Sequence, residues 1–157
     1  MDITPTKYAD RTAAPRAAIF LPFAFLLHVM EEWFAGLPAW TVIAPGAEVS
    51  PERFLLINTV ALLLFTIGTL AAFYYPRMAW FATTFAALLG LNALVHSLAT
   101  LGLGLYSPGT VTGLLLFLPL SAIVLRASAS RFSGPVFAGC ILSGFLLHGL
   151  AYFLARL

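Results

Sequence analysis

Charge is scarce in this chain. Lysine, arginine, aspartate and glutamate make up 9% of its 157 residues, against about 25% in a soluble domain. That shortage excludes an ordinary water-soluble globule. Cysteine is nearly absent too. The single Cys140 rules out an intramolecular disulfide and carries no information on redox compartment. Glutamine is missing, and asparagine occurs only at Asn58 and Asn92. There are no internal repeats and no low-complexity tracts. The formal net charge of +2 does not indicate a nucleic-acid partner, because the basic residues lie at the ends of apolar runs, where they set membrane topology.

Hydrophobic residues, by contrast, form 61% of the chain. Five apolar segments run over about 17–37, 54–75, 78–105, 109–125 and 136–155, each near the ~20 residues a helix needs to cross a ~30 Å hydrocarbon core. They lack the alternation of barrel strands, which leaves helices as the spanning form. The sequence therefore predicts an all-α, polytopic transmembrane bundle of five helices in one domain, 1–157, with residues 1–15 as a tail. The turn chemistry agrees. Pro15 opens the first helix, and Ser50-Pro51 reads as an N-cap followed by proline at the first helical position. Pro76 ends the second helix, Ser107-Pro108-Gly109 breaks the chain before the fourth, and Ser133-Gly134-Pro135 precedes the fifth. Pro119 is expected to kink the fourth helix. The 38–52 stretch, with Trp40 and Pro45-Gly46, reads as a loop able to act as a lid. Lys7, Arg11 and Arg16 ahead of an apolar run also resemble a signal peptide, but the run exceeds the ~7–15 residues of such a core and contains two glutamates.

Orientation follows from the basic residues. A cytoplasmic N-terminus puts Lys7, Arg11, Arg16, Arg77, Arg126 and Arg131 inside, and only Arg53 and Arg156 outside. That asymmetry predicts an N-terminus in the cytoplasm and a C-terminus outside. The expected setting is a bacterial cytoplasmic membrane.

The strongly polar side chains inside the apolar segments are His28, Glu31 and Glu32, then Asn58, then Asn92 and His96, and finally His148. A charged carboxylate deep in a bilayer costs roughly 3 kcal/mol on insertion scales. At a rise of 1.5 Å per residue, Glu32 lies about 9 Å and His28 about 15 Å below the outer boundary, Asn58 about 8 Å, His148 about 12 Å and His96 about 15 Å. Four helices of alternating direction thus bring polar groups to one layer. His28, Glu31 and Glu32 have i, i+3 and i+4 spacing, and Asn92 and His96 are one turn apart. Ala86, Gly90, Ala93 and Ser97 form a small-residue stripe on the third helix, and Cys140, Gly144 and His148 form a line on the fifth.

His28-x-x-Glu31-Glu32, the later Asn92-x-x-x-His96, Tyr106-Ser107-Pro108-Gly109 followed by Thr110 and Thr112, and a last-helix His148 together resemble the HXXEE-domain family of small membrane proteins. The similarity extends over nearly the whole chain. That family has no settled biochemical function. The resemblance implies that these residues form a site and names no reaction.

Three imidazoles and two carboxylates are a metal-ligand set suited to zinc, iron or manganese. The donors suffice for one divalent ion and fall short of a two-metal carboxylate site. The arrangement that fits takes His28, Glu32, His96 and His148 as ligands. Glu31 is left to move a proton, although spacing alone does not say which glutamate binds and which acts as base. Tyr106 and Asn92 are the further catalytic candidates, stabilising developing charge, with Asn58, Thr110 and Thr112 supporting the ligands. The expected cofactor is one divalent ion, zinc ahead of iron. The expected activity is hydrolysis of a lipid-like or membrane-partitioned small molecule. Two alternatives stay open: a mononuclear non-haem iron oxidase or oxygenase, and an ion or proton transporter. Structural roles compete with each of these. The glutamates could rise to the interface beside Trp33, and His96 with Asn92 could form an interhelical hydrogen bond. The expected partners are the bilayer, the lipid-like substrate and, given the small bundle, a second copy of the chain.

Overall fold

Serine and proline set the helix boundaries. Ser50 is extended at φ −68° and ψ 148°, its Oγ accepts a hydrogen bond from the Arg53 backbone N–H at 3.3 Å, and Pro51 follows at the helix start. Tyr75 is extended ahead of Pro76, as the residue before a proline tends to be. Ser133 is extended in the same way ahead of Gly134-Pro135.

The computed structural model describes residues 16–43 and 48–157. The expected tail 1–15, with Lys7, Arg11 and Pro15, and the Pro45-Gly46 pair lie outside the described residues. Six helices follow one another: α1 (Arg16–Phe34), α2 (Leu37–Ile43), α3 (Pro51–Tyr74), α4 (Pro76–Leu103), α5 (Thr110–Ala129) and α6 (Gly134–Leu154). All but α2 are long and apolar enough to cross a membrane, giving the five crossings the sequence predicts.

The differences are local. The first crossing stops at Phe34 instead of 37, and the chain turns through Ala35-Gly36 into α2. The expected 38–52 loop therefore begins as a short helix. Thr41 ties it down: its Oγ donates to the Pro38 carbonyl at 2.7 Å and accepts from the Val49 N–H at 3.1 Å. The fourth crossing is longer than predicted, reaching Ala129. The irregularity expected from Pro119 takes the form of a π turn at Gly113–Phe117, directly before Leu118-Pro119. Proline lacks an N–H and crowds the preceding turn, and a wide turn there accommodates both.

Helix α4 is central, packed against α3, α5 and α6. Its Ala86 and Ala93 are fully buried, and Gly90 lies against Ser121 of α5. On α6, a Cβ at Gly144 would stand 2.6 Å from the Thr84 carbonyl oxygen and 2.8 Å from Ala87 Cβ. The Cys140-Gly144-His148 line thus faces α4 at backbone-contact distance, as a small-residue interface allows. Phe25, Phe65 and Phe85 stack across α1, α3 and α4, with ring centroids 4.8 and 4.3 Å apart. Only 11% of the apolar window of α6 is buried, against 50% of that of α4. Leu142, Leu146 and Phe153 stand outward on α6, a surface suited to lipid. The C-terminal ends of α1, α4 and α6 and the starts of α3 and α5 share one end of the bundle, where the polar residues gather.

Candidate metal centre

On α1, His28 and Glu32 lie one turn apart, and α4 brings His96 against them. His28 is 1% exposed, Glu32 6% and His96 8%, so the carboxylate stays inside and does not rise to the interface. Glu32 Oε1 lies 3.3 Å from His28 Nε2 and 3.2 Å from His96 Nε2. The two imidazoles meet edge to face, with centroids 5.2 Å apart. The rings are held from behind by hydroxyls. His28 Nδ1 pairs with Thr112 Oγ at 2.8 Å, and His96 Nδ1 pairs with Ser107 Oγ at 3.0 Å. An Nδ1–H donated to each hydroxyl would leave each Nε2 lone pair for a metal ion beside Glu32. Phe117 from the π turn packs on the His28 ring at 4.2 Å.

This set suits a metal ion. The three donor atoms lie within 4.8 Å of one another. His28 Nε2 is buried and has no hydrogen-bond partner despite its nearness to the carboxylate. A cation between the three would satisfy that nitrogen and offset the carboxylate. Gly109 completes the cradle. Its φ is +100°, and a Cβ there would sit 2.7 Å from His28 Cε1 and 3.1 Å from His96 Cε1. Both the left-handed backbone and the lack of room call for glycine at this position.

Glu31, expected as the base, is engaged elsewhere. Its Oε1 accepts from the Tyr106 hydroxyl, from Gly109 N–H at 3.1 Å and from Val111 N–H at 3.0 Å. Its Oε2 accepts from Thr112 N–H at 2.6 Å. A carboxylate of α1 thus caps the open N-terminus of α5, where unpaired N–H groups and the helix dipole favour negative charge. Tyr106 belongs to this clamp. Burial, and then its hydrogen bond to Glu31 and the charge of Glu31, raise its hydroxyl from 10.0 to about 12. Thr110 fixes the turn as well, donating to the Ser107 carbonyl at 2.7 Å and pairing with Thr100 Oγ at 2.7 Å.

The remaining predicted residues line a cavity of about 570 Å³ that also contains His28, Glu32 and His96 on its wall. Asn58 reaches it from α3 while its amide donates to the Phe54 carbonyl at 2.9 Å. Asn92 and His148 meet across α4 and α6, with Nδ2 and Nε2 3.5 Å apart. His148, expected as the fourth ligand, stays outside the three-residue donor group. Ser107 was absent from the predicted set. Its sequence signal is its place in the Tyr106-Ser107-Pro108-Gly109 run, which does not reveal that it meets His96.

The model of a family described as a protein of unknown function with HXXEE motif matches residues 19–124. The chain belongs to this family. The match covers the His28-x-x-Glu31-Glu32 motif itself, His96, and the Tyr106–Thr112 segment that braces both, and it ends before α6 and His148. No curated protein and no solved structure matches the chain.

Proposed function

We propose that His28, Glu32 and His96 hold one divalent metal ion and that the protein is a membrane-embedded, metal-dependent hydrolase of a lipid-like molecule. The observation that carries this reading is the convergence of three buried donor atoms on the wall of a largely apolar cavity. Two histidines and one carboxylate, with a position left open, are a ligand set of catalytic zinc sites. An ion bound there would supply a Lewis acid that polarises a carbonyl or phosphoryl oxygen and acidifies water.

The other cavity residues supply the rest. With Glu31 engaged in capping α5, proton handling falls to His148, which lines the cavity outside the ligand group. Imidazole titrates nearest neutral pH. Asn92 orients it through the 3.5 Å contact, and its own Oδ1 is buried without a partner, free to meet a substrate donor. The apolar walls, including Phe54, Ile57 and Leu98, exclude water and favour a hydrocarbon. Six basic residues against two support a cytoplasmic N-terminus, which opens the site towards the outer leaflet.

A mononuclear iron oxygenase is the second reading, favoured by the same two-histidine, one-carboxylate count. An ion path is less well supported. In the half of the bundle away from the site, the buried polar groups among the described residues include hydroxyls such as Thr83 and Ser128, 2.9 Å apart.

Elemental analysis of protein purified in lipid discs decides among these. About one zinc per chain is expected, with loss of the metal but not of helicity in Glu32→Gln. Iron in its place selects the oxygenase. Metal-free protein that hydrolyses membrane-partitioned esters would overturn the proposal.

A further inference from the structure

The cavity has a second polar end. Arg156 follows α6 and lines the cavity, as does Trp40 of α2. Arg156 Nε and Trp40 Nε1 are both buried and without a hydrogen-bond partner. The guanidinium is held in place: its carbon lies 3.1 Å over the Tyr152 ring, and Nη1 donates to the Tyr152 carbonyl at 3.0 Å. Among the described residues no carboxylate pairs with it. Unmet buried donors are costly, and a fixed guanidinium favours an oxyanion above other partners. Eight residues along α6 separate Arg156 from His148, about 12 Å of cavity length. Arg156 and Trp40 therefore bring a cation and two unpartnered donors to the wall of the same cavity that holds the histidines and Glu32.

We infer that the cavity takes a single-chain amphiphile bearing an anionic headgroup, carboxylate or phosphate. The oxyanion accepts hydrogen bonds from Arg156 and Trp40, and the chain lies against Phe54, Ile57 and Leu98. A cavity of about 570 Å³ is of a size to take one such chain. As a statement about substrate this rests on the hydrolase reading. As a statement about binding it stands apart from it, since neither donor belongs to the candidate metal centre.

The test uses full-length protein in lipid discs, with Trp33→Phe and Trp80→Phe so that only Trp40 reports. Quenching of Trp40 is titrated with a fatty acid brominated at mid-chain, with the matching brominated alcohol, and with its phosphate ester. At least one anion should quench saturably and bind about tenfold or more tightly than the alcohol, a difference of about 1.4 kcal/mol. Arg156→Gln should abolish that preference, and Arg156→Lys should retain part of it. Whichever anion binds more tightly identifies the headgroup. Equal quenching by acid, ester and alcohol, or an unchanged preference in Arg156→Gln, would overturn the inference. The metal content of the same discs is measured separately, so a failure of the metal reading and a failure of this one give different results.

Discussion

Adjacent residues on an α-helix point about 100° apart, and that angle separates the roles of Glu31 and Glu32. Glu32 turns towards α4 and meets His96. Glu31 turns towards the start of α5 and takes its N–H groups. The shared i+3 and i+4 spacing from His28 marks both as facing the bundle, but the identity of each neighbour depends on how α4 and α5 pack around α1, which no spacing within α1 encodes. The division leads to a prediction. Glu31→Gln removes a charged acceptor from several hydrogen bonds and should cost about 2 kcal/mol of stability, read as a lowered thermal midpoint in lipid discs, while the metal content stays near that of the parent. Tyr106 gives a pH signature. Its hydroxyl is held at about 12, above its ordinary 10.0, so the unfolded chain loses this proton first. The stabilisation is complete below pH 10 and is lost as pH rises towards about 12. Tyr106→Phe should flatten that alkaline decline in unfolding scans on either side of pH 10.

At the scale of elements, the crossings were legible because composition and length suffice to identify them. The short α2 was not, because a seven-residue helix spans too few turns to display a period. Pro38 within it reads as a loop signal, although proline is tolerated in a first helical turn. The layer of polar residues was legible from rise per residue alone, and His28, Glu32 and His96 do meet. His148 reaches the same cavity but not the same donor group, since depth fixes height and leaves rotation about the helix axis free. Helix packing around α4 offers a sharp check. Gly144→Leu places a side chain where the Thr84 carbonyl and Ala87 already stand. It should destabilise the bundle by about 1–3 kcal/mol and loosen the Asn92–His148 pair, seen as a lower thermal midpoint. Gly139→Ala on the same helix, where a Cβ meets nothing within 4 Å, should not lower that midpoint and should raise it slightly.

For the molecule as a whole, the proposed ion would tie α1 and α4 together, so its removal should register globally. Chelation is expected to lower the thermal midpoint of the parent protein and leave Glu32→Gln unmoved, because a ligand that binds only the folded state stabilises it by mass action. The Glu31 clamp bears on how the chain is made. Its bond to Thr112 joins residues 81 positions apart. At roughly 5–20 residues per second of synthesis, α1 emerges several seconds before the backbone groups that receive its carboxylate. The first crossing thus carries Glu31 before its partners exist, so a newly made helix that enters the bilayer early bears an unpaired carboxylate until α5 arrives.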